Sequence, residues 1–173
     1  MTETTPTTTD TGELLAWIGR QHHRLLASTA GLTEEQLRAP VVSSGWSVLG
    51  LLGHTRDTTV LWLHHIAAGR PVDGFDEEEE VFDNDPQRPA GEVVQDLREA
   101  CAAAVEQARE IPADAAPGWW PEGAWGGYRQ ETVRGCLLHL LTELAAHAGH
   151  MDIARELTDG GVWDFAVDGV RVP

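Results

Sequence analysis

The chain has no lysine, only two cysteines and no apolar run long enough to cross a bilayer. Each shortage excludes something. With arginine as the sole strong cation, Lys plus Arg total 12 against 28 Asp plus Glu, a formal net charge of -16. That balance repels phosphate backbones and anionic headgroups, so neither nucleic acid nor a membrane surface is an expected partner. Cys101 and Cys136 fall inside helical patterns without the spacing of a disulfide framework, which points to a reducing compartment. The Thr-rich, acidic start lacks the positive residues and apolar stretch of a signal peptide, and no segment approaches the ~18 to 20 apolar residues of a span. The expected location is the cytoplasm.

What is present is the composition of one globular domain, 173 residues with 42% hydrophobic and 23% charged, enough to bury a core without disulfides. Residues 1–10 read as a disordered leader. Glu13, Leu14, Leu15, Trp17, Ile18, Leu25 and Leu26 then recur at helical spacing as far as Gly31. Thr33 with Gln36 has the form of a capping box, opening a short turn of helix that Ala39-Pro40 ends. A second helix is predicted from Trp46 to Ala68, stopped by Gly69-Arg70-Pro71, and Gly50 and Gly53 within it suggest close approach of another helix or a ligand. Phe75 to Pro89 is acidic and turn-rich, and its run Asp76 to Glu80 reads as a solvated loop.

Ala90 to Ile111 forms a third pattern with Val93, Val94, Leu97, Cys101 and Val105 on its apolar side. The Pro/Gly-rich stretch 112–128 carries Trp119, Trp120 and Trp125, too apolar for a free linker, and is expected to pack across one end of the fold. Glu131 to Thr158 gives the fourth helix, ended at Asp159-Gly160-Gly161. Four long helical patterns without strand alternation predict an all-α fold, an up-down four-helix bundle with long connecting loops over residues 11–160. Residues 161–173, with Trp163 and Phe165, would form a tail packed on it.

The chemistry is concentrated on the fourth helix. At roughly 100° per residue, with His139 at zero, His150 falls near 20°, Glu143 near 40° and His147 near 80°, one narrow stripe. Val133, Leu140, Leu144 and Met151 fall beside it at about 100° to 140°, and Arg134, Thr142, Asp152 and Glu156 nearly opposite, at about 220° to 300°. The stripe is therefore expected to face inward, where an unpaired carboxylate is costly and a metal ion would satisfy it. Glu143 and His147 lie one turn apart and can meet a single ion. His54, in the middle of an apolar run, is the best third ligand. Two histidines and one carboxylate leave open positions, as in catalytic zinc sites, with iron and nickel behind zinc.

These residues resemble the DinB-like superfamily of bacterial four-helix bundles, which includes the N-terminal domain of mycothiol-dependent maleylpyruvate isomerase. The resemblance rests on Gly45-Trp46-Ser47 leading to Leu51-Leu52-Gly53-His54, and on Leu138-His139 leading to Glu143, His147 and His150. It implies the same ligand set, His54, Glu143 and His147, and mycothiol or a similar low-molecular-weight thiol as cosubstrate. A small electrophile would be the second substrate, in transfer, conjugation or isomerisation. The isomerase carries a further C-terminal domain that residues 161–173 are too few to supply, so its own reaction is not carried over. The absence of lysine and the high Gly, Ala and Arg usage fit the GC-rich genome of a mycothiol-making actinobacterium.

Other residues carry weaker expectations. Asp57 could orient His54, or be a solvated helix acid. His150 and His139 could act as bases or position the ligands, or be ordinary hydrogen-bonded histidines. His22-His23 and His64-His65 read as helix-surface pairs, since adjacent helical residues diverge by about 100°. Trp119, Trp120 and Trp125 cap the bundle or roof the metal. Cys136 is a small buried hydrophobe, or by its position a reactive thiol. Three functions remain: a thiol-dependent metalloenzyme, a non-catalytic metal-stabilised stress-response or interaction module, and hydrolysis by metal-bound water. The resemblance and the apolar residues on the outer faces of the first and third helices also suggest a homodimer.

Overall fold

The computed structural model describes residues 10–75 and 88–173. The expected leader, apart from Asp10, and the acidic run Asp76 to Glu80 lie outside them. The fold is predominantly helical: α1 (Asp10–Ala27), α2 (Glu34–Arg38), α3 (Val48–Thr59), a π-helical continuation (Val60–Ala67), α4 (Ala90–Ala108) and α5 (Val133–Asp159). Asp10 opens α1 rather than ending the leader, an acid favoured in a first helical turn. Among the described residues no helix is long and apolar enough to cross a membrane.

Local chemistry sets the boundaries. The Thr33 hydroxyl accepts from the Gln36 amide while the Gln36 side chain accepts from the Thr33 N–H, the capping box of α2. Ser47 and Thr132 cap α3 and α5 by accepting from the amides of Gly50 and Gly135. Gly160, at φ 75°, ends α5 in the left-handed conformation that glycine adopts without cost.

α1 packs chiefly against α5, and α3 with its π-helical continuation against α4 and α5. Leu15, Ile18 and Leu25 of α1, Leu49 and Leu52 of α3, Leu97 of α4 and Leu137, Leu140, Leu144 and Met151 of α5 are at most 2% exposed. Each such side chain contributes roughly 1.5–3 kcal/mol relative to its exposed state. The Pro/Gly/Trp segment docks as expected, its Gly118 and Trp119 amides donating to the carbonyls of Ala67 and Ile66. A Cβ on Gly118 would lie 2.7 Å from Gly69 Cα, so this contact needs glycine.

Three expectations are corrected. The second helix is not α-helical throughout: Ala68 N–H reaches Leu63 O and Arg70 N–H reaches His65 O, the wider i to i+5 spacing. The tail contains an antiparallel hairpin, β1 (Val162–Asp164) with β2 (Gly169–Arg171), that seats Trp163 at 9% exposure. His22 is not on the surface. It is buried, with Nε2 2.8 Å from Thr59 Oγ1, and burial pulls its pKa down to about 4.

A candidate metal centre and its cavity

His54 projects from the middle of α3, and Glu143 and His147 project from successive turns of α5. One ligand atom from each lies within 4.8 Å of the other two, the one such group among the described residues. His54 Nε2 stands 3.4 Å and His147 Nε2 3.7 Å from Glu143 Oε1, and the two imidazole rings meet edge to face with centroids 4.8 Å apart. Donors about 2.0–2.2 Å from a tetrahedral ion are spaced roughly 3.4 Å apart. The His54–Glu143 edge already has that spacing, and the His147–Glu143 edge is slightly wide.

Two further observations fit a cation. Both ring nitrogens of His147 are buried without a hydrogen-bond partner, an arrangement that native proteins avoid unless something else satisfies the ring. At Glu143, burial pushes the carboxyl pKa up, but the imidazoles of His147, His54 and His139 outweigh it and hold the group at about 2. The carboxylate is therefore ionised at any ordinary pH.

From His139 through Glu143 to His147 exposure falls with the angle on the stripe, and His150 departs from that order. The side chains of His139, Glu143 and His147 are 34%, 26% and 17% exposed, and His150 is exposed. The stripe lies on the flank of the core, with only its His147 edge directed well inward. His150 sits on the outer side, its ring 5.7 Å from His147 and 6.2 Å from Trp46. Asp57 pairs with Arg56, whose Nε is 2.8 Å from Oδ1, and Thr58 Oγ1, like Glu143 Oε1, lies 3.4 Å from His54 Nε2.

Beside the triad lies a cavity of about 890 Å³ lined by His54, Glu143 and His139, by Arg56, Asp57 and Asp73, and by an aromatic wall of Trp62, Phe75, Trp125 and Tyr128. The π-helical segment supplies Val60, Leu61, Trp62 and His65 to this lining, as insertions of that kind often do at functional sites. Trp125 takes φ 51° and ψ 37°, a left-handed backbone that is costly for a bulky residue. Its ring stacks on Trp62 at 5.8 Å and meets Phe75 at 71°. Of the three loop tryptophans, Trp125 faces the cavity. Trp120 packs on Trp62 and Trp125, and Trp119 on Phe75.

Tyr128 was not singled out by sequence reasoning. Its hydroxyl accepts from the Gln130 side-chain amide and lies 3.2 Å from His139 Nδ1, while His139 Nε2 is 3.5 Å from Glu143 Oε2. A Tyr128 O–H donated to Nδ1 leaves the proton of His139 on Nε2, directed at the carboxylate. The second carboxylate oxygen thus faces His139 while the first faces His54 and His147. The only available signal was that Tyr128 is the sole tyrosine, in a loop already expected to pack.

Neither cysteine is poised for nucleophilic work. Burial raises the pKa of Cys101 to about 11 and of Cys136 to about 12.

Comparison with known proteins yields no match among curated proteins or solved structures. The family model for mycothiol S-transferase matches residues 13–160, a span that includes His54, the tryptophan loop, Glu143 and His147. The chain thus belongs to the mycothiol S-transferase family, within the DinB-like superfamily.

Proposed function

We propose that the protein is a metal-dependent S-transferase that joins the sulfur of mycothiol to a small electrophile, with His54, Glu143 and His147 holding one divalent transition metal. Zinc is the first choice and iron or nickel the next, since two imidazoles and a carboxylate leave positions open. The observation that carries the reading is the convergence of these three side chains from two distant segments, two of which, His54 and Glu143, also line a cavity of about 890 Å³.

When bound, the ion would favour loss of the thiol proton at neutral pH and fix the sulfur as a nucleophile. The chain's own residues supply the rest. Glu143 brings a permanent negative charge, and the aromatic wall excludes water from one side of the reacting sulfur. In this reading α1, α3 with its π-helical continuation, α4 and α5 form an up-down four-helix bundle, with the ligands facing each other from its second and fourth members. The cytoplasm, where a small thiol stays reduced, is the fitting compartment.

The test is conjugation of mycothiol to a monochlorobimane-type acceptor by metal-loaded protein. Turnover above the uncatalysed rate that disappears with Glu143→Ala and with chelation supports the reading, and a rate equal with and without metal contradicts it. A second reading draws on the same geometry, because an ion shared by α3 and α5 would also brace the two helices. In that case Glu143→Ala lowers metal content and Tm, and no conjugation is seen with any acceptor.

A further inference from the structure

Resting on that S-transferase reading, we infer that the electrophile taken by this cavity is an uncharged, planar aromatic compound, one or two rings in size, seated in the corner formed by Trp125 and Phe75. The aromatic surface begins at the candidate metal centre itself. His139, 3.5 Å from Glu143, lies against Trp62 with ring centroids 4.2 Å apart, and Trp62 stacks on Trp125 at an interplanar angle of 15°. Phe75 stands at 71° to Trp125 with centroids 5.7 Å apart. Two rings set nearly at right angles accept a flat molecule by one face contact and one edge contact, both favoured geometries.

The left-handed backbone at Trp125 strengthens the assignment. A bulky side chain kept in that conformation costs stability, and such positions cluster where a ligand is held. Charge decides against an anionic acceptor. Among the described residues the strong cation of the lining, Arg56, is already paired with Asp57, and Asp73 adds a further negative charge. A carboxylate-bearing electrophile would meet like charge. The cavity, about 890 Å³, lies within the range of roughly 300–1,000 Å³ that small-molecule sites occupy and is large enough to hold an acceptor beside a thiol.

With a benzylic halide the step is a displacement. The thiol sulfur forms a bond to the benzylic carbon, the carbon–halogen bond breaks with its electron pair leaving on halide, and the thiol proton goes to solvent.

The experiment uses metal-loaded protein, mycothiol, and three halides: 4-nitrobenzyl chloride, 4-(chloromethyl)benzoate and allyl chloride. Each enzymatic rate is divided by the uncatalysed rate with the same thiol. The expected order places 4-nitrobenzyl chloride about fivefold or more above the other two, the scale of one good aromatic contact. Trp125→Gly, which keeps the left-handed backbone, and Phe75→Leu should raise KM for 4-nitrobenzyl chloride and leave KM for mycothiol unchanged. Equal normalised rates, or a rise confined to KM for mycothiol, overturn the assignment.

Binding of unreactive 4-nitrobenzyl alcohol, followed by tryptophan quenching, separates the two readings. If the alcohol binds wild type and is lost in Trp125→Gly while no halide turns over, the transferase reading fails and the aromatic subsite stands. If turnover occurs and the alcohol binds both proteins equally, the subsite fails alone.

Discussion

His54 Nε2 and Glu143 Oε1 come within 3.4 Å of each other across the seam between α3 and α5. Neither helix could make the contact alone, and each places its residue in a different environment. His54 interrupts an apolar run, while Glu143 lies on the flank of a buried face beside Leu140 and Leu144. The contact is also where the cavity begins, so the residues suited to hold an ion are the residues a small molecule would meet first.

Holding Glu143 in place depends on its other oxygen. Removing the Tyr128 hydroxyl leaves His139 free to change tautomer and turn away from Oε2. Tyr128→Phe should weaken metal binding about tenfold, the lower end of the effect of such outer partners. Competition with a chromophoric chelator measures this, with circular dichroism showing an unchanged fold. An unaltered affinity would mean that His139 does not position the carboxylate.

The burial of His22 makes stability depend on pH. Its folded pKa, near 4, is below the ordinary value of 6.5, so between those values the unfolded chain binds the proton and the folded one does not. Stability is at its full value above pH 6.5, falls as the pH drops toward 4, and loses no more from this group below that. The loss should be on the order of 3 kcal/mol. Denaturation midpoints from pH 7 to 4 should fall more steeply for wild type than for His22→Gln.

Arg155 is 1% exposed, and its guanidinium donates two hydrogen bonds to the carboxylate of Asp159 and one each to the carbonyls of Ser28 and Ala30. It ties the end of α1 to the last turn of α5. Arg155→Met should lower unfolding free energy by about 3 kcal/mol, because it strands a carboxylate and two carbonyls. Adding Asp159→Asn should recover part of that loss. Thermal or urea unfolding of the single and double variants provides the check.

In the proposed reaction the nucleophile is a small thiol and not a cysteine of the chain. Cys101 and Cys136 are buried, with pKa values pushed up to about 11 and 12. Iodoacetamide at pH 8 should therefore leave the folded protein unmodified, and denaturant should expose both thiols to it. Mass spectrometry counts the adducts.

Much of this was legible because the local chemistry is unambiguous. The Thr33 capping box and the glycine after α5 mark boundaries that need no tertiary information. The angular stripe on α5 brought Glu143 and His147 together, and the position of His54 in an apolar run supplied their partner. What escaped depends on distant contacts. His22 and His23 look alike as a tandem pair, yet the turn between them sends one to Thr59 in the core and the other to Asp168 at the surface. Arg155 drew no expectation, because the carbonyls of Ser28 and Ala30 that hold it come from another segment. The π-helical spacing after Thr59 leaves no mark in side-chain pattern, because the same apolar residues serve an α-helix equally well. The hairpin at 162–171 has strands too short for alternation to register.

The most direct test is the metal content of untagged protein, purified without chelator and supplied with zinc, iron or nickel. Inductively coupled plasma mass spectrometry should find one ion per chain in wild type, and almost none in His54→Ala, with its helical circular dichroism unchanged. Equal metal in both proteins, or none in wild type whichever ion is offered, would contradict the account.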